Sequence, residues 1–418
     1  MALIDTAASA TAPPAASALP TPPSNDPLSA GAEASTTSGG TGTRQRLDHI
    51  DAMRPVKQAG VVSTHTLLAF AGAGTGVTVG ACLQLLHVTR EAFLFVSACM
   101  LAYSCRGLIV SNWRTFYQRR FAMVAIPYLA WTVIYFFITQ GMNPRPFWTA
   151  VGHFLYLCAT GYYQLYYLIV LMQFYLLFPL FLWLVRKTAG HHAALMIVSL
   201  IVQVTYTSLM HWGALPWASQ DFWASREVIS YQFYLVAGLV VAAHLDDVHA
   251  FLVAHVKAIV AFTFAAAGLA EAWYYLAQYD VVRWFGSSSD PFQPVVVPFN
   301  IGAIACIYLI GVALVRPKSP ALRTAVQSGS DNAYGVYLAQ MVFILGLGGL
   351  GWAHLDHFIP WPIVCIASVV LVFGLCVALT AVLARTPLAR PLTGRTRVAW
   401  PSPRRKAGAD SAQASMAG

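Results

Sequence analysis

Residues 162–185 read YYQLYYLIVLMQFYLLFPLFLWLV, a run of 24 residues without a single charged side chain. As an α-helix at about 1.5 Å per residue, a run of this length exceeds the ~30 Å hydrocarbon core of a bilayer. Lipid offers no partners for backbone N–H and C=O groups, so a run that enters it must bond within itself as a helix. Apolar runs of similar length recur near 54–73, 89–109, 120–140, 193–212, 229–245, 250–276, 294–315, 334–353 and 360–384. The expected fold is all-α: a polytopic transmembrane helix bundle of about 10 spans. Nothing shows the alternating pattern of a membrane β-barrel. Segment 147–158 (FWTAVGHFLYLC) is too short to cross and reads as an interfacial or re-entrant helix.

Composition agrees. Of 418 residues, 58% are hydrophobic and only 10% charged, with a mean hydropathy of +0.61. A soluble chain carries about 25% charge to cover its surface. The formal net charge of +9 does not indicate nucleic acid, because most of the cations sit in short loops beside apolar runs or in one tail. Seven of the 25 Lys and Arg residues lie at or after Arg385. The seven cysteines have no motif spacing and read as small packing residues.

Residues 1–43 are rich in Ala, Ser, Thr, Pro and Gly and read as a disordered N-terminal tail without the pattern of a signal peptide. Residues 44–385 form the membrane domain, and 386–418 read as a basic, disordered C-terminal tail. With both ends cytoplasmic, the inner loops hold nine cations: Arg106, Arg114, Arg119, Arg120, Arg186, Lys187, Arg316, Lys318 and Arg323. The outer loops hold Arg145, Arg226 and Arg283, with Arg90 at a span edge. This positive-inside bias favours an even number of spans, and a multi-pass protein of the inner (plasma) membrane.

The first span carries the chemistry: Asp51-Ala-Met-Arg54-Pro-Val-Lys57-Gln-Ala-Gly-Val-Val-Ser63-Thr64-His65. Arg54 and His65 are eleven residues apart, three turns plus about 20°, so they share a helix face with a rise of roughly 16 Å between them. Arg54 at the inner edge puts His65 near mid-membrane, where polar groups usually face the bundle interior. Two readings follow. His65 acts as a general base above an anion-holding arginine, or it is a packed core histidine above a snorkelling one.

These residues also carry a resemblance. Asp51-x-x-Arg54 followed by His65 resembles the opening signature of the acyltransferase 3 family of integral membrane O-acyltransferases. Phe93-Leu-Phe95-Val-Ser97-Ala98 is similar to that family's aromatic stretch before a Ser-Gly step. Arg119-Arg120-Phe-Ala-Met123 leading to Pro127-Tyr128 is similar to its basic step, with Met123 where a second basic residue is expected. Leu165-Tyr166-Tyr167-Leu168, Gln173 to Pro179, Tyr231 to Gly238, and Gly335-Val-Tyr337-Leu338 continue the series, with Gln340 where a histidine often follows.

The resemblance implies transfer of an acyl group, acetyl by expectation, from cytoplasmic acyl-CoA as co-substrate to a hydroxyl of a sugar or cell-envelope glycan. His65 would be the general base; Arg54, Arg119 and Arg120 would hold the donor; Arg90 and Glu91 are possible acceptor-site residues. Arg90 and Glu91 are adjacent and point to different sides of a helix, so they need not pair with each other. Membrane lipid, the donor and a carbohydrate acceptor are the expected partners; nucleic acid is not. A glycan or lipid-linked sugar exporter without chemistry is the alternative. No metal constellation is apparent, since the adjacent His191 and His192 project apart.

Overall fold

The computed structural model describes residues 41–71, 76–105, 110–215, 221–279, 292–316 and 319–400. Arg106, Arg283 and Lys318 of the topology reading lie outside these, as do residues 1–40 and 401–418 of the two expected tails. Among the described residues there are helices and no strands.

Fifteen α-helices follow one another: α1 (Thr41–Phe70), α2 (Gly76–Leu86), α3 (Val88–Ser104), α4 (Trp113–Met142), α5 (Phe147–Thr160), α6 (Tyr166–Lys187), α7 (His192–His211), α8 (Asp221–Ala224), α9 (Gln232–Ala243), α10 (Leu245–Ala254), α11 (Val256–Gln278), α12 (Val296–Val315), α13 (Pro320–Gly349), α14 (Trp361–Leu383) and α15 (Ala389–Thr393). Short 3₁₀ turns at Tyr163–Leu165 and Val228–Tyr231 lead into α6 and α9. The Asn112 side chain accepts from Thr115 N at 3.1 Å and sets the start of α4.

Seven segments among the described residues are long and apolar enough to cross a membrane. They are Gly76–Ser104, Trp113–Met142, Tyr163–Lys187, His192–His211, Val256–Gln278, Val296–Val315 and Trp361–Leu383. An eighth is counted if Val228–Ala243 and Leu245–Ala254, bent by 99°, form one broken span. The expected count of ten therefore falls to seven or eight by this measure. The two runs that drop out, near 54–73 and 334–353, lie on α1 and α13, each 30 residues long but too polar. Both pack at the centre: α1 against α12, α13 and α14, and α13 against α14. Their polar side chains, among them Lys57, Gln58, Thr66, Asn332 and Gln340, are buried. A central helix is solvated by its neighbours, so its mean hydropathy understates its depth.

The run expected at 89–109 is longer than its sequence suggested. It begins at Gly76, with α2 and α3 separated only at His87. In the half not counted there, Gln84 is buried and donates to Ala270 O at 2.8 Å.

α3 packs closely on α9. Gly238 makes that approach possible, because a Cβ there would lie 2.4 Å from Phe95 O. At the periphery, Ile197, Ile201, Phe264 and Leu269 are exposed, as expected of side chains that face lipid tails. The protein is a membrane protein built of helices.

Residues 386–400 are packed against the bundle. Trp131 Nε1 donates to Leu392 O at 3.0 Å, Val398 N to Ala384 O at 2.8 Å, and Arg397 Nε to Arg385 O at 3.0 Å. Ala389 and Thr393 are buried, and the Arg385 guanidinium lies 5.4 Å from the Trp400 ring centre. Composition registers the charge of this segment; it does not register backbone bonds to distant helices.

Candidate functional site

On α1, positions 54, 57, 61, 64 and 65 follow the three-and-four spacing of one helix face. The stripe begins with Arg54, whose Nη2 is 3.0 Å from Asp51 Oδ1, both side chains more than a third exposed. One turn further, Lys57 is buried at 4% exposure with its Nζ 4.1 Å from the centre of the Phe93 ring. Val61, Thr64 and His65 then line a cavity of about 60 Å³. That is room for a few waters.

Thr89, Arg90 and Phe93 of α3 form the opposite wall, and Gln164, Tyr166, Tyr167 and Tyr337 complete it. Arg90 is the middle residue of the segment Gly76–Ser104, so the cavity lies halfway along a membrane-length helix. His65 lines the same cavity and so shares that depth. His65 Nδ1 is buried with no hydrogen-bond partner, and so are Arg90 Nε and Nη2. Unsatisfied buried donors and acceptors are expensive in a low-dielectric interior. Two such residues on the lining of one cavity mark a place able to receive polar atoms.

The wall is fixed by bonds between distant segments. Gln164 Nε2 donates to Tyr135 Oη at 3.0 Å and Tyr135 Oη donates to Leu338 O at 2.6 Å, tying the 3₁₀ turn to α4 and α13. Tyr337 Oη donates to Gln164 O. Arg226 donates to Thr160 O at 2.7 Å and lies 5.0 Å from the centre of the Tyr166 ring, holding that ring inward. Tyr163 closes the edge. Its ring centre is 5.1 Å from that of His65, it is 45% exposed, and its backbone sits at φ 39°. A tyrosine in the left-handed region costs about 1–3 kcal/mol and persists only where packing holds it.

The structure brings together His65 and Arg90, which the sequence had set at different depths: Arg90 is central, not at a span edge. Glu91 does not line the cavity, yet it does approach its neighbour. Arg90 Nη2 is 3.7 Å from Glu91 Oε1, with exposures of 12% and 3%. Helical projection separates adjacent side chains at Cβ, but both are long enough to converge when no water competes. Arg54, Arg119 and Arg120 do not line the cavity. Arg119 is exposed, and Arg120 Nη2 donates to Ser104 Oγ at 3.2 Å.

Lys57 and Gln164 are the residues that sequence reasoning missed. The signal for Lys57 was present, since it precedes Val61 by four and Thr64 by seven on the His65 face. The tyrosines at 166 and 167, readable as an interfacial belt, turn into the cavity instead.

The arrangement offers an imidazole to take a proton, a guanidinium with unused donors on the same cavity, and a cation stripe running toward it from one end of the helix. The sequence profile of a family described as an acyltransferase domain matches residues 48–381, a stretch that contains all of these groups. No curated protein and no solved structure matches the chain.

Proposed function

The chain belongs to the acyltransferase 3 family, and from that premise we propose that it carries an acyl group from cytoplasmic acyl-CoA to a hydroxyl of a sugar or cell-envelope glycan. The observation that supports this best is the shared cavity of His65 and Arg90 at mid-bundle, with unsatisfied nitrogens on both. A base at that depth serves a donor arriving from one face and an acceptor arriving from the other.

In this reaction the acceptor hydroxyl oxygen attacks the thioester carbonyl carbon while His65 takes its proton. The carbonyl oxygen gains negative charge, and the Arg90 guanidinium supplies the hydrogen bonds that stabilise it. Collapse breaks the C–S bond, and the proton on His65 passes to the departing thiolate. Glu91 sets the orientation of Arg90. Arg54, Arg119 and Arg120 hold the anionic part of the donor at the inner face of the plasma membrane, with acetyl as the expected acyl group.

The test is His65→Ala in membranes given labelled acetyl-CoA. Removing a general base lowers turnover by about 10²–10⁴-fold. Transfer at the wild-type rate removes His65 from the reaction. In a deletion strain, normally exported but unacylated glycan supports the enzyme, whereas glycan retained inside supports an exporter.

A further inference from the structure

The matched domain ends at residue 381, and the segment that follows packs back on α4 and α13. Arg395 Nη1 donates to Asp331 O at 2.8 Å and lies 3.5 Å from Asn332 Oδ1. The preceding residue of α13, Ser330, donates through Oγ to Asp51 O at 3.0 Å, and Asp51 pairs with Arg54. Arg395 is thus fastened to the turn of α13 that also bonds the backbone of Asp51, the ion-pair partner of Arg54.

The residue before it, Gly394, is left-handed at φ 69° and lies against Tyr334. A Cβ there would be 2.6 Å from Tyr334 Cε1 and in ordinary contact with Met123 O, so the positive φ and the tyrosine ring both disfavour a larger residue. Met123 follows Arg120 by one turn on α4. Tyr334 in turn stacks on Tyr337 at 6.4 Å and 7°, and Tyr337 lines the cavity. The segment therefore sits below the tyrosine floor of the cavity, between the α4 turn of Arg120 and the α1 turn of Arg54.

Arg395 is half-buried and uses only Nη1; its Nε and Nη2 make no bond among the described residues. The Asp331 carboxylate accepts from Gln327 Nε2 at 3.0 Å. A guanidinium anchored by one corner, with the rest of its fork open, is set to receive a phosphate.

We propose that Arg395 is a donor-binding residue: it contacts a phosphate of the acyl thioester, and residues 386–400 are a working part of the site. This rests on the reading of acyl-CoA as donor. A phosphate at this face also occurs on lipid headgroups, and the experiment separates the two.

The full-length protein is reconstituted in phosphatidylcholine nanodiscs, and the Kd of labelled acetyl-CoA is measured, together with its displacement by acetyl-pantetheine, which lacks phosphate. Arg395→Gln raises the Kd for acetyl-CoA about tenfold, as expected for loss of a charge-assisted bond, and leaves acetyl-pantetheine unchanged. Arg395→Lys, which keeps the charge, recovers most of the affinity and controls for folding. Equal Kd in Arg395→Gln and wild type, or equal weakening of both ligands, overturns the proposal. A defect seen only when anionic lipid is added assigns Arg395 to a headgroup and also overturns it. A wild-type protein that binds no acetyl-CoA removes the donor reading itself, and this proposal with it.

Discussion

Replacing Gly238 by alanine should damage activity more than stability. The new Cβ would lie 2.4 Å from Phe95 O, 2.9 Å from Ala98 Cβ and 3.0 Å from Cys99 N, all on α3. None of these atoms can rotate away, so α9 and α3 must separate by roughly 1 Å to restore normal contact. Overpacking of this kind costs about 1–3 kcal/mol, of which ~1 kcal/mol is returned by the better helix propensity of alanine. The net destabilisation is about 0–2 kcal/mol. The same shift carries Arg90 and Phe93 away from His65, and a misplacement of about 1 Å can lower turnover by 10²-fold. Gly268 on α11 meets nothing within 4 Å and is the internal control. Thermal unfolding of the purified variants and labelled acyl transfer in membranes read the two effects separately. The expected result is a folded Gly238→Ala protein with turnover reduced ten- to a hundredfold, beside a Gly268→Ala protein that behaves as wild type. Wild-type turnover in Gly238→Ala would show that the α3–α9 spacing does not set the site geometry.

Lys57→Met should leave the thermal midpoint unchanged or raise it, because a desolvated cation–π contact supplies about 2 kcal/mol against a burial cost of several. A fall of many degrees on unfolding would mean that Lys57 has a stabilising partner beyond the Phe93 ring. Glu91→Gln removes the one carboxylate paired with the buried Arg90 among the described residues and should destabilise the fold by about 3–5 kcal/mol. Pairing it with Arg90→Met should cost less than the two single changes summed, and strict additivity in that cycle would show that the 3.7 Å approach carries no interaction.

The membrane fold was legible because hydropathy is a local sum: any stretch like 162–185 has one stable form in lipid, whatever surrounds it. The stripe of Arg54, Lys57, Val61, Thr64 and His65 was legible for the same reason, since periodicity along one helix needs no neighbour. Legibility failed where a neighbour decides. α1 and α13 are too polar to pass as spans alone, and only their burial among α12, α14 and each other accounts for Lys57 and Gln340. Arg90 read as a helix-end residue until α2 extended the span beyond it.

The sequence by itself determined that this chain is a helical membrane protein of the acyltransferase 3 family, and that His65 and Arg54 share a face. The tertiary structure decided that Arg90 and His65 line one cavity, that Tyr166 and Tyr167 line it too, and that residues 386–400 pack on α4 and α13. Charge and apolarity are properties of residues in order, whereas a cavity is formed by side chains from α1, α3, α6 and α13. Their meeting depends on how ridges and close glycine contacts seat one helix against another, and that is a sum over partners distant along the chain.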